Sequence, residues 1–315
     1  MMRHSAKNSQ KVKMHYLIMV FGKNLELSFE FFPPRNEREY KTYENTVQQL
    51  AQYGPKFVSY TDGAGFSKNR AIIESVEILR QYMTPEVVAH ITSCDKTKSD
   101  VDVILNKYVE NKIESFLIIR GDCPRDEFLM DLEDFDENNS DFEHASDLIE
   151  YMFKKGYKNL GFGCFPTGHP EDNNLDETMN TFNLKVKSGG NFSATQLFFD
   201  FDDYKKFHKY AIEKNIDVPI YAGIMPLVSF EQAKRFAKVC DISLPESLSD
   251  GFASCNTIEE EREFGIKFVA DLCDELIKYG ADGLHFYTLN RYKAFSDIYK
   301  LIKNKDSLNK GEIRI

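Results

Sequence analysis

A single carboxylate stands in a short apolar stretch near the start of the chain. Residues 27–32 read LSFEFF, and strand alternation places Glu30 on the face opposite Phe29 and Phe31. A proline pair follows, which should end the strand just past Glu30 because proline lacks a backbone N–H. A carboxylate flanked by phenylalanines is poorly hydrated, which predicts a raised pKa and a general acid. The competing interpretation is a strand-end glutamate paired with a nearby arginine or lysine.

Other polar side chains also stand where predicted strands end. Eight short apolar segments alternate with helical ones, and chemically capable groups follow most of them. We expect these groups to meet at one rim, because the carboxyl ends of parallel strands share an edge and helix N-termini point their positive ends there. In chain order they are Glu30, Thr61, His90, Arg120, Gly121, Asp122, Phe165, His169, Gln196, Tyr287 and Arg291.

The elements that must position these residues repeat as strand and then helix. After the strand of Glu30, strands are predicted over 57–61, 87–91, 115–119, 157–165, 192–197, 219–224 and 283–287. Helices are predicted over 37–53, 69–82, 98–111, 146–155, 175–187, 203–214, 229–239 and 293–303, with a long one beginning at the capping-box pattern of Thr257 to Glu260.

This order predicts an α/β fold, a single (β/α)8 TIM barrel. The segment 115–119 is apolar on both faces, which is typical of a parallel sheet covered by helices. With no linker or internal repeat, the barrel is expected over 25–315, after an N-terminal extension and lead-in segment over 1–24. The alternative is a doubly wound open sheet, for which the G-x-G-x-x-G fingerprint is missing.

Composition narrows the possible partners. The chain has 315 residues and a formal net charge of −10, which argues against nucleic acid or an anionic membrane as a partner, since either calls for a basic face. A small anionic molecule can still bind to a chain of this net charge if a few positively charged side chains lie at its binding site. The six cysteines form no C-x-x-C pair, so we expect reduced thiols in a cytoplasmic protein.

Other kinds of site have less support. His90, His169 and His285 share no metal-ligand spacing, and no metal is predicted. A thiolate metal site is kept as an alternative because three cysteines follow predicted strands, at 94, 123 and 164. A Ser/His/Asp triad is not supported, because the glycine pattern of a nucleophile elbow does not occur.

Several motifs together resemble the methylenetetrahydrofolate reductase family over about residues 25 to 305. They are SFEFFPPR at 28–35, RGD at 120–122, HPE at 169–171, TQLFFD at 195–200 and HFYTLNR at 285–291. The resemblance implies an FAD-containing barrel that reduces 5,10-methylenetetrahydrofolate to 5-methyltetrahydrofolate with NADH or NADPH. It also implies the short prokaryotic form and a homo-oligomer.

The resemblance assigns roles to individual residues. Glu30 matches the general acid that protonates the folate nitrogen, and Asp122 matches a carboxylate beside flavin and folate. Folate-side positions are Gln196, Tyr287 and Arg291. Flavin-binding positions are Thr61, Asp62, His90, Arg120, Gly121, Asp122, His144, Ala145, Phe165, His169, Asp172 and Lys185. The chain departs from the family pattern at Asp62, His144, Phe165 and Thr178, and in the acidic loop over 126–143.

Two other functions fit parts of this pattern. Another flavin-dependent barrel oxidoreductase, similar to proline dehydrogenase, would share the cofactor but oxidise an amine. A non-catalytic folate- or flavin-binding protein would keep the fold, although pure binding does not require an acid in an apolar wall.

Overall fold

The structure, a computed structural model, describes residues 25–61, 66–121 and 140–309, with the backbone alone at 66–70 and 305–309. The predicted N-terminal segment over 1–24, Asp62, Asp122 and most of the acidic loop lie outside these ranges. Within the described part, no helix combines the length and apolar character needed to cross a bilayer.

Eight parallel strands close into one barrel. Each strand pairs with the next along the chain, and the last pairs with the first. The predicted TIM barrel is therefore confirmed, and the open-sheet alternative is wrong because both edges are paired. The strands are β1 (Glu26–Phe31), β2 (Phe57–Tyr60), β3 (Glu86–Thr92), β4 (Ser115–Ile119), β5 (Asn159–Cys164), β6 (Phe192–Thr195), β7 (Ile220–Ile224) and β8 (Gly283–Tyr287).

Helices connect the strands and cover the barrel. A 3-10 turn, Ala51–Tyr53, extends the first of them. The helices are α1 (Glu37–Leu50), α2 (Phe66–Tyr82), α3 (Lys98–Glu110), α4 (Ala145–Lys154), α5 (Leu175–Lys187), α6 (Phe201–Glu213), α7 (Phe230–Val239), α8 (Glu246–Ala253), α9 (Ile258–Tyr279) and α10 (Tyr292–Asn309).

Most boundaries lie within a few residues of the predicted ones, but α8 was not predicted. Its buried residues are only Leu248 and Phe252, so its apolar stripe is too short to show a helical period. The start of α9 agrees in part with the predicted capping box. Thr257 Oγ1 accepts the Glu260 N–H at 3.1 Å, whereas the Glu260 carboxylate accepts from Asn256 N at 2.6 Å instead of from Thr257.

The core has two layers because strand side chains alternate between the barrel interior and the helices. Outside the barrel, Phe29 of β1 and Phe286 of β8 meet Phe295 of α10, with ring centroids 4.8 and 4.7 Å apart and edge-on. Inside it lies a smaller cluster of Phe57, Val88, Leu117, Ala194 and Tyr221. The inner cluster fills the barrel, and the outer layer binds the last helix to the seam between β1 and β8.

The cysteines differ in part from the prediction. Cys164, Cys240, Cys255 and Cys273 are free thiols, as expected. Cys94 is disulfide-bonded, so the prediction of a reduced thiol is wrong there. Among the residues that the structure describes, no three His, Cys, Asp or Glu side chains are grouped so that they could hold a metal ion.

The Phe295 contacts predict a stability effect. Phe295 is buried, and its ring also meets Tyr53 edge-on at 4.9 Å. Phe295→Ala should lower the free energy of unfolding by about 3–5 kcal/mol, because it opens a cavity at the seam. Leu301→Ala, at an exposed position of the same helix, should change it by about 0.5 kcal/mol or less. Urea denaturation measures both, and equal losses would contradict the assigned role.

Candidate active site

The first and last motifs of the sequence form one hydrogen-bonded unit at the carboxyl end of the barrel. Thr288 Oγ1 donates to the Glu30 carbonyl at 2.6 Å. Phe32 N donates to Asn290 Oδ1 at 3.0 Å, and Asn290 Nδ2 donates to the Phe32 carbonyl at 2.8 Å. Leu289 and Asn290 adopt left-handed φ values of 49° and 55°, which turn the chain back toward β1. The end of β1 is thereby fixed against the loop after β8.

The Glu30 side chain lies inside the barrel among polar groups. Its Oε2 is 3.4 Å from His90 Nε2, 3.5 Å from His285 Nε2 and 3.5 Å from Ser59 Oγ. Alternation places Phe29 and Phe31 on the outer face, where both are buried against the helices. The predicted apolar surroundings of the carboxylate are therefore wrong, since its flanking phenylalanines point away from it.

This environment reverses the predicted direction of the Glu30 pKa. Burial is the largest influence and raises the pKa. The hydrogen bond with His285, the charges of His90 and His285, and the hydrogen bond from Ser59 oppose it, and the net pKa of Glu30 lies below its ordinary value. The prediction of a raised pKa treated Glu30 as an isolated carboxyl, which it is not.

A cavity of about 280 Å³ opens between the ends of β4 and β5 and the helices α4 and α5. Because the N-terminus of α4 borders it, the positive end of that helix faces the space. The structure brings seven predicted flavin-binding residues to its wall. They are Arg120, His144, Ala145, Phe165, His169, Asp172 and Lys185.

Lys185 supplies a cation to this wall. Its Nζ donates to the Gly163 carbonyl at 3.0 Å and lies 5.9 Å from the centroids of the Phe162 and Phe165 rings. Burial lowers the pKa of Lys185, while the nearby Cys164 and Asp172 oppose that shift. The ammonium is thus partly desolvated, which strengthens its attraction for an anion in the cavity.

Thr178 organises the acidic side of the same cavity. Its hydroxyl donates to Asp172 Oδ2 at 2.6 Å and accepts the His169 N–H at 3.0 Å. The His169 ring packs edge-on against Phe165 with centroids 4.5 Å apart, and burial lowers the pKa of His169. The sequence identified Thr178 only as a departure from the family pattern. In the fold it fixes the carboxylate of Asp172.

Three other predicted cofactor residues do not line this cavity. His90 lies inside the barrel against Glu30. Thr61 follows β2, and its N–H donates to the Phe31 carbonyl at 3.1 Å. Gly121 has a φ of +83°, and a Cβ there would be 2.6 Å from Thr92 Cγ2, so the backbone requires glycine. The predicted Asp62 and Asp122 lie outside the described residues.

The predicted folate-side residues lie at the ends of β6 and β8 or directly after them. Tyr287 is partly buried, with its hydroxyl donating to the Thr195 carbonyl at 2.5 Å, and burial raises its pKa well above the ordinary value. Gln196 Oε1 accepts the Leu197 N–H at 2.9 Å. Arg291 lies on the exposed turn after β8, where its N–H donates to the Thr288 carbonyl at 2.8 Å.

Comparison with known proteins identifies the family. A sequence model described as methylenetetrahydrofolate reductase matches residues 15–303. The chain belongs to the methylenetetrahydrofolate reductase family. This confirms the resemblance seen in the motifs and places the chain in a family of oxidoreductases of one-carbon metabolism.

Two curated relatives of this reductase family differ in length. The 5,10-methylenetetrahydrofolate reductase of Buchnera aphidicola subsp. Baizongia pistaciae is 30% identical over 302 residues, which cover 95% of this chain and 98% of that protein. Methylenetetrahydrofolate reductase 1 of Schizosaccharomyces pombe is 29% identical over 272 residues, which cover 85% of this chain but 44% of that protein. The chain thus spans less than half the length of the yeast relative.

A solved structure shares the fold of this reductase family member. It is an uncharacterised protein from Clostridium thermocellum that binds two copies of 5-methyl-5,6,7,8-tetrahydrofolic acid. The match has a TM-score of 0.61 and 15% identity, covering 92% of this chain and 98% of that chain. At this identity the likeness shows the barrel fold alone.

The lowered pKa of Glu30 predicts an acid-dependent contribution to stability. Because the folded-state pKa lies below the ordinary value of 4.5, the folded chain binds this proton less readily than the unfolded chain. The contribution is present above the ordinary value and is lost as the pH falls through the folded-state pKa. Glu30→Gln should lack this contribution to stability. The free energies of unfolding of the variant and the wild type should therefore converge as the pH falls.

Urea denaturation at a series of pH values measures this convergence. Glu110→Gln is the matched control, because Glu110 is exposed at the end of α3. For this control, the free energy of unfolding plotted against pH should run parallel to the wild-type plot. A parallel curve for Glu30→Gln would contradict the assigned pKa shift.

Proposed function

We propose that this chain reduces 5,10-methylenetetrahydrofolate to 5-methyltetrahydrofolate with FAD as cofactor and NADH or NADPH as hydride donor. Membership of the reductase family supports the reaction. The observation that carries the site assignment is the 3.4 Å contact between Glu30 Oε2 and His90 Nε2, because it joins the proposed acid to a residue of the proposed flavin set. When bound, FAD supplies the transfer of hydride between the nicotinamide and the folate.

The cavity between β4, β5, α4 and α5 fits the requirements of a dinucleotide cofactor. Lys185, Arg120 and the N-terminus of α4 provide positive charge for a pyrophosphate. The Asp172 carboxylate, fixed by Thr178, provides an acceptor for sugar or ribityl hydroxyl groups. Phe165, packed against His169, provides an apolar surface for a ring.

Glu30 is the proposed general acid for the folate. Its carboxyl proton passes to the folate nitrogen, the bond from that nitrogen to the methylene carbon breaks, and the carbon is left as an iminium that accepts hydride. Asp122, which lies outside the described residues, is proposed to stabilise the developing positive charge. Gln196, Tyr287 and Arg291 are proposed to hold the folate. Cytoplasmic location and homo-oligomeric assembly stay predictions.

An anaerobic absorbance titration tests the reaction. NADH or NADPH should bleach the flavin spectrum of the wild type, and methylenetetrahydrofolate should restore it. Glu30→Gln should slow only the second step, by about 10²-fold or more, because it lacks the transferable proton. Glu110→Gln is the control and should react as the wild type does. A flavin spectrum that neither nicotinamide nor folate changes would contradict the proposed reaction.

Flavin affinity tests the cavity separately from the chemistry. Lys185→Gln should raise the dissociation constant for FAD by about tenfold or more, because a partly desolvated cation is lost. Lys187→Gln is the matched control, since Lys187 ends the same helix at an exposed position. Fluorescence titration of the apoprotein with FAD measures both constants. Equal affinities for the two variants would place the pyrophosphate elsewhere.

A further inference from the structure

The Asn290 side chain extends the pairing between β1 and β8 beyond the last backbone pair. The register of the two strands ends where Glu30 lies opposite Tyr287. Beyond this pair, Asn290 Oδ1 accepts the Phe32 N–H at 3.0 Å, and Asn290 Nδ2 donates to the Phe32 carbonyl at 2.8 Å. Since an N–H only donates and a carbonyl only accepts, these partners fix the orientation of the amide. The amide therefore bonds to β1 as the backbone of a paired strand would.

Backbone pairing cannot continue past Phe32, because β1 runs into a proline pair. Pro33 and Pro34 lack an N–H, so the Phe32 N–H is the last backbone donor before them. The Glu30 carbonyl, two residues earlier, accepts the Thr288 hydroxyl at 2.6 Å and the Thr288 N–H at 3.3 Å. The loop after β8 therefore holds both the backbone of the proposed acid and the backbone two residues beyond it.

Asn290 is itself fixed by its own backbone. Its N–H donates to Thr288 Oγ1 at 3.1 Å, and its carbonyl accepts the hydroxyl hydrogen of Thr46 at 2.8 Å. Thr46 is buried in α1, so this bond connects the loop to the first helix of the barrel. All polar groups of Asn290 thus have partners. Its φ of 55° is left-handed, a conformation that asparagine adopts more readily than most residues.

The same loop carries two of the residues proposed to hold the folate. Tyr287 precedes Thr288, and Arg291 follows Asn290 with its N–H donating to the Thr288 carbonyl at 2.8 Å. One loop therefore connects the backbone of the proposed acid to these folate-side residues. The distance from the Glu30 carboxyl to the folate nitrogen depends on this connection. A displacement of about 1 Å between reacting groups can lower a rate by about 10²-fold.

We propose that Asn290 is a positioning residue, which sets the place of the Glu30 carboxyl relative to bound folate by holding the Phe32 backbone. The inference rests on the proposed function of Glu30 as the acid. Asn290 transfers no proton and needs no contact with the substrate in this role. Its loss should therefore impair the step that uses Glu30 and leave the reduction of the flavin unaffected.

Single-turnover reoxidation of the reduced flavin by methylenetetrahydrofolate tests this role. Asn290→Gly keeps the left-handed turn, because glycine adopts positive φ readily, but removes the amide. The rate constant at saturating folate should fall by about tenfold or more. The half-saturating folate concentration should stay within about threefold of the wild type, since the Tyr287 hydroxyl keeps its own bond to the Thr195 carbonyl. Flavin reduction by NADH or NADPH should stay within about twofold.

The matched control is Asn215→Gly. Asn215 also has a left-handed φ, of 56°, but it is exposed and follows α6 at the amino end of the strands. This variant should reoxidise at the wild-type rate. All rates are expressed per bound flavin, so that a loss of folded enzyme cannot mimic a misplaced acid. Equal rate losses in both variants, or an unchanged saturating rate in Asn290→Gly, would overturn the proposal.

Substitutions of Thr288 decide the matter if Asn290→Gly does not retain flavin. Thr288→Val removes the hydroxyl that bonds to the Glu30 carbonyl and accepts the Asn290 N–H, whereas Thr288→Ser keeps that hydroxyl. Thr288→Val should lower the saturating rate of reoxidation by about tenfold or more. Thr288→Ser should restore it to within about threefold of the wild type. Equal saturating rates in the two variants would overturn the proposal.

Glu30→Gln separates this inference from the proposed function. If Glu30→Gln blocks reoxidation while Asn290→Gly keeps the wild-type saturating rate, Glu30 remains the acid and only the role of Asn290 fails. If Glu30→Gln reoxidises at the wild-type rate, the proposed acid itself is wrong, and the inference about Asn290 fails with it.

Discussion

The closure of β1 on β8 is the constraint on which the site depends. The two strands are separated by more than 250 residues in sequence, yet they pair in register from Glu26 to Glu30. Side-chain hydrogen bonds from Thr288 and Asn290 fix the backbone at the end of β1, and Phe295 seals the outer side of the seam. The carboxylate is therefore positioned by backbone pairing, which is more rigid than a loop.

This closure brings polar groups into an otherwise apolar interior. Burying a carboxylate costs several kcal/mol unless partners compensate for its lost hydration. Here the partners come from three other strands, as His90, His285 and Ser59. Removing one partner would leave the remaining charge poorly compensated. The same arrangement that lets the barrel tolerate Glu30 also lowers the pKa of its carboxyl.

The cofactor cavity shows how an acidic protein can still receive an anion. The chain has a formal net charge of −10, but Lys185 and Arg120 converge on one space at the N-terminus of α4. Local charge matters more than net charge there, because the field of a partly desolvated cation is weakly screened over a few ångströms. The Thr178–Asp172 contact adds an acceptor to the same wall, and the Asp172 charge partly opposes the lowering of the Lys185 pKa by burial.

The sequence by itself determined the features that depend on local pattern. Alternation and proline placement predicted that Glu30 lies near the end of β1, on the face opposite Phe29 and Phe31. The order of strands and helices predicted the barrel. The motifs predicted the family and seven of the residues that line one cavity. The strand facing and the order of elements follow from side-chain periodicity within short segments, whereas the seven cavity residues came from the resemblance to the family.

Only the tertiary structure decided which groups meet Glu30, and so the direction of its pKa. The flanking phenylalanines suggested a raised value, whereas His285, about 255 positions away, and His90 lower it. The structure likewise revealed the short helix α8, the link from Thr178 to Asp172 and the disulfide at Cys94. Electrostatic and hydrogen-bond energies depend on distances between atoms, and barrel closure sets those distances between residues far apart in the chain.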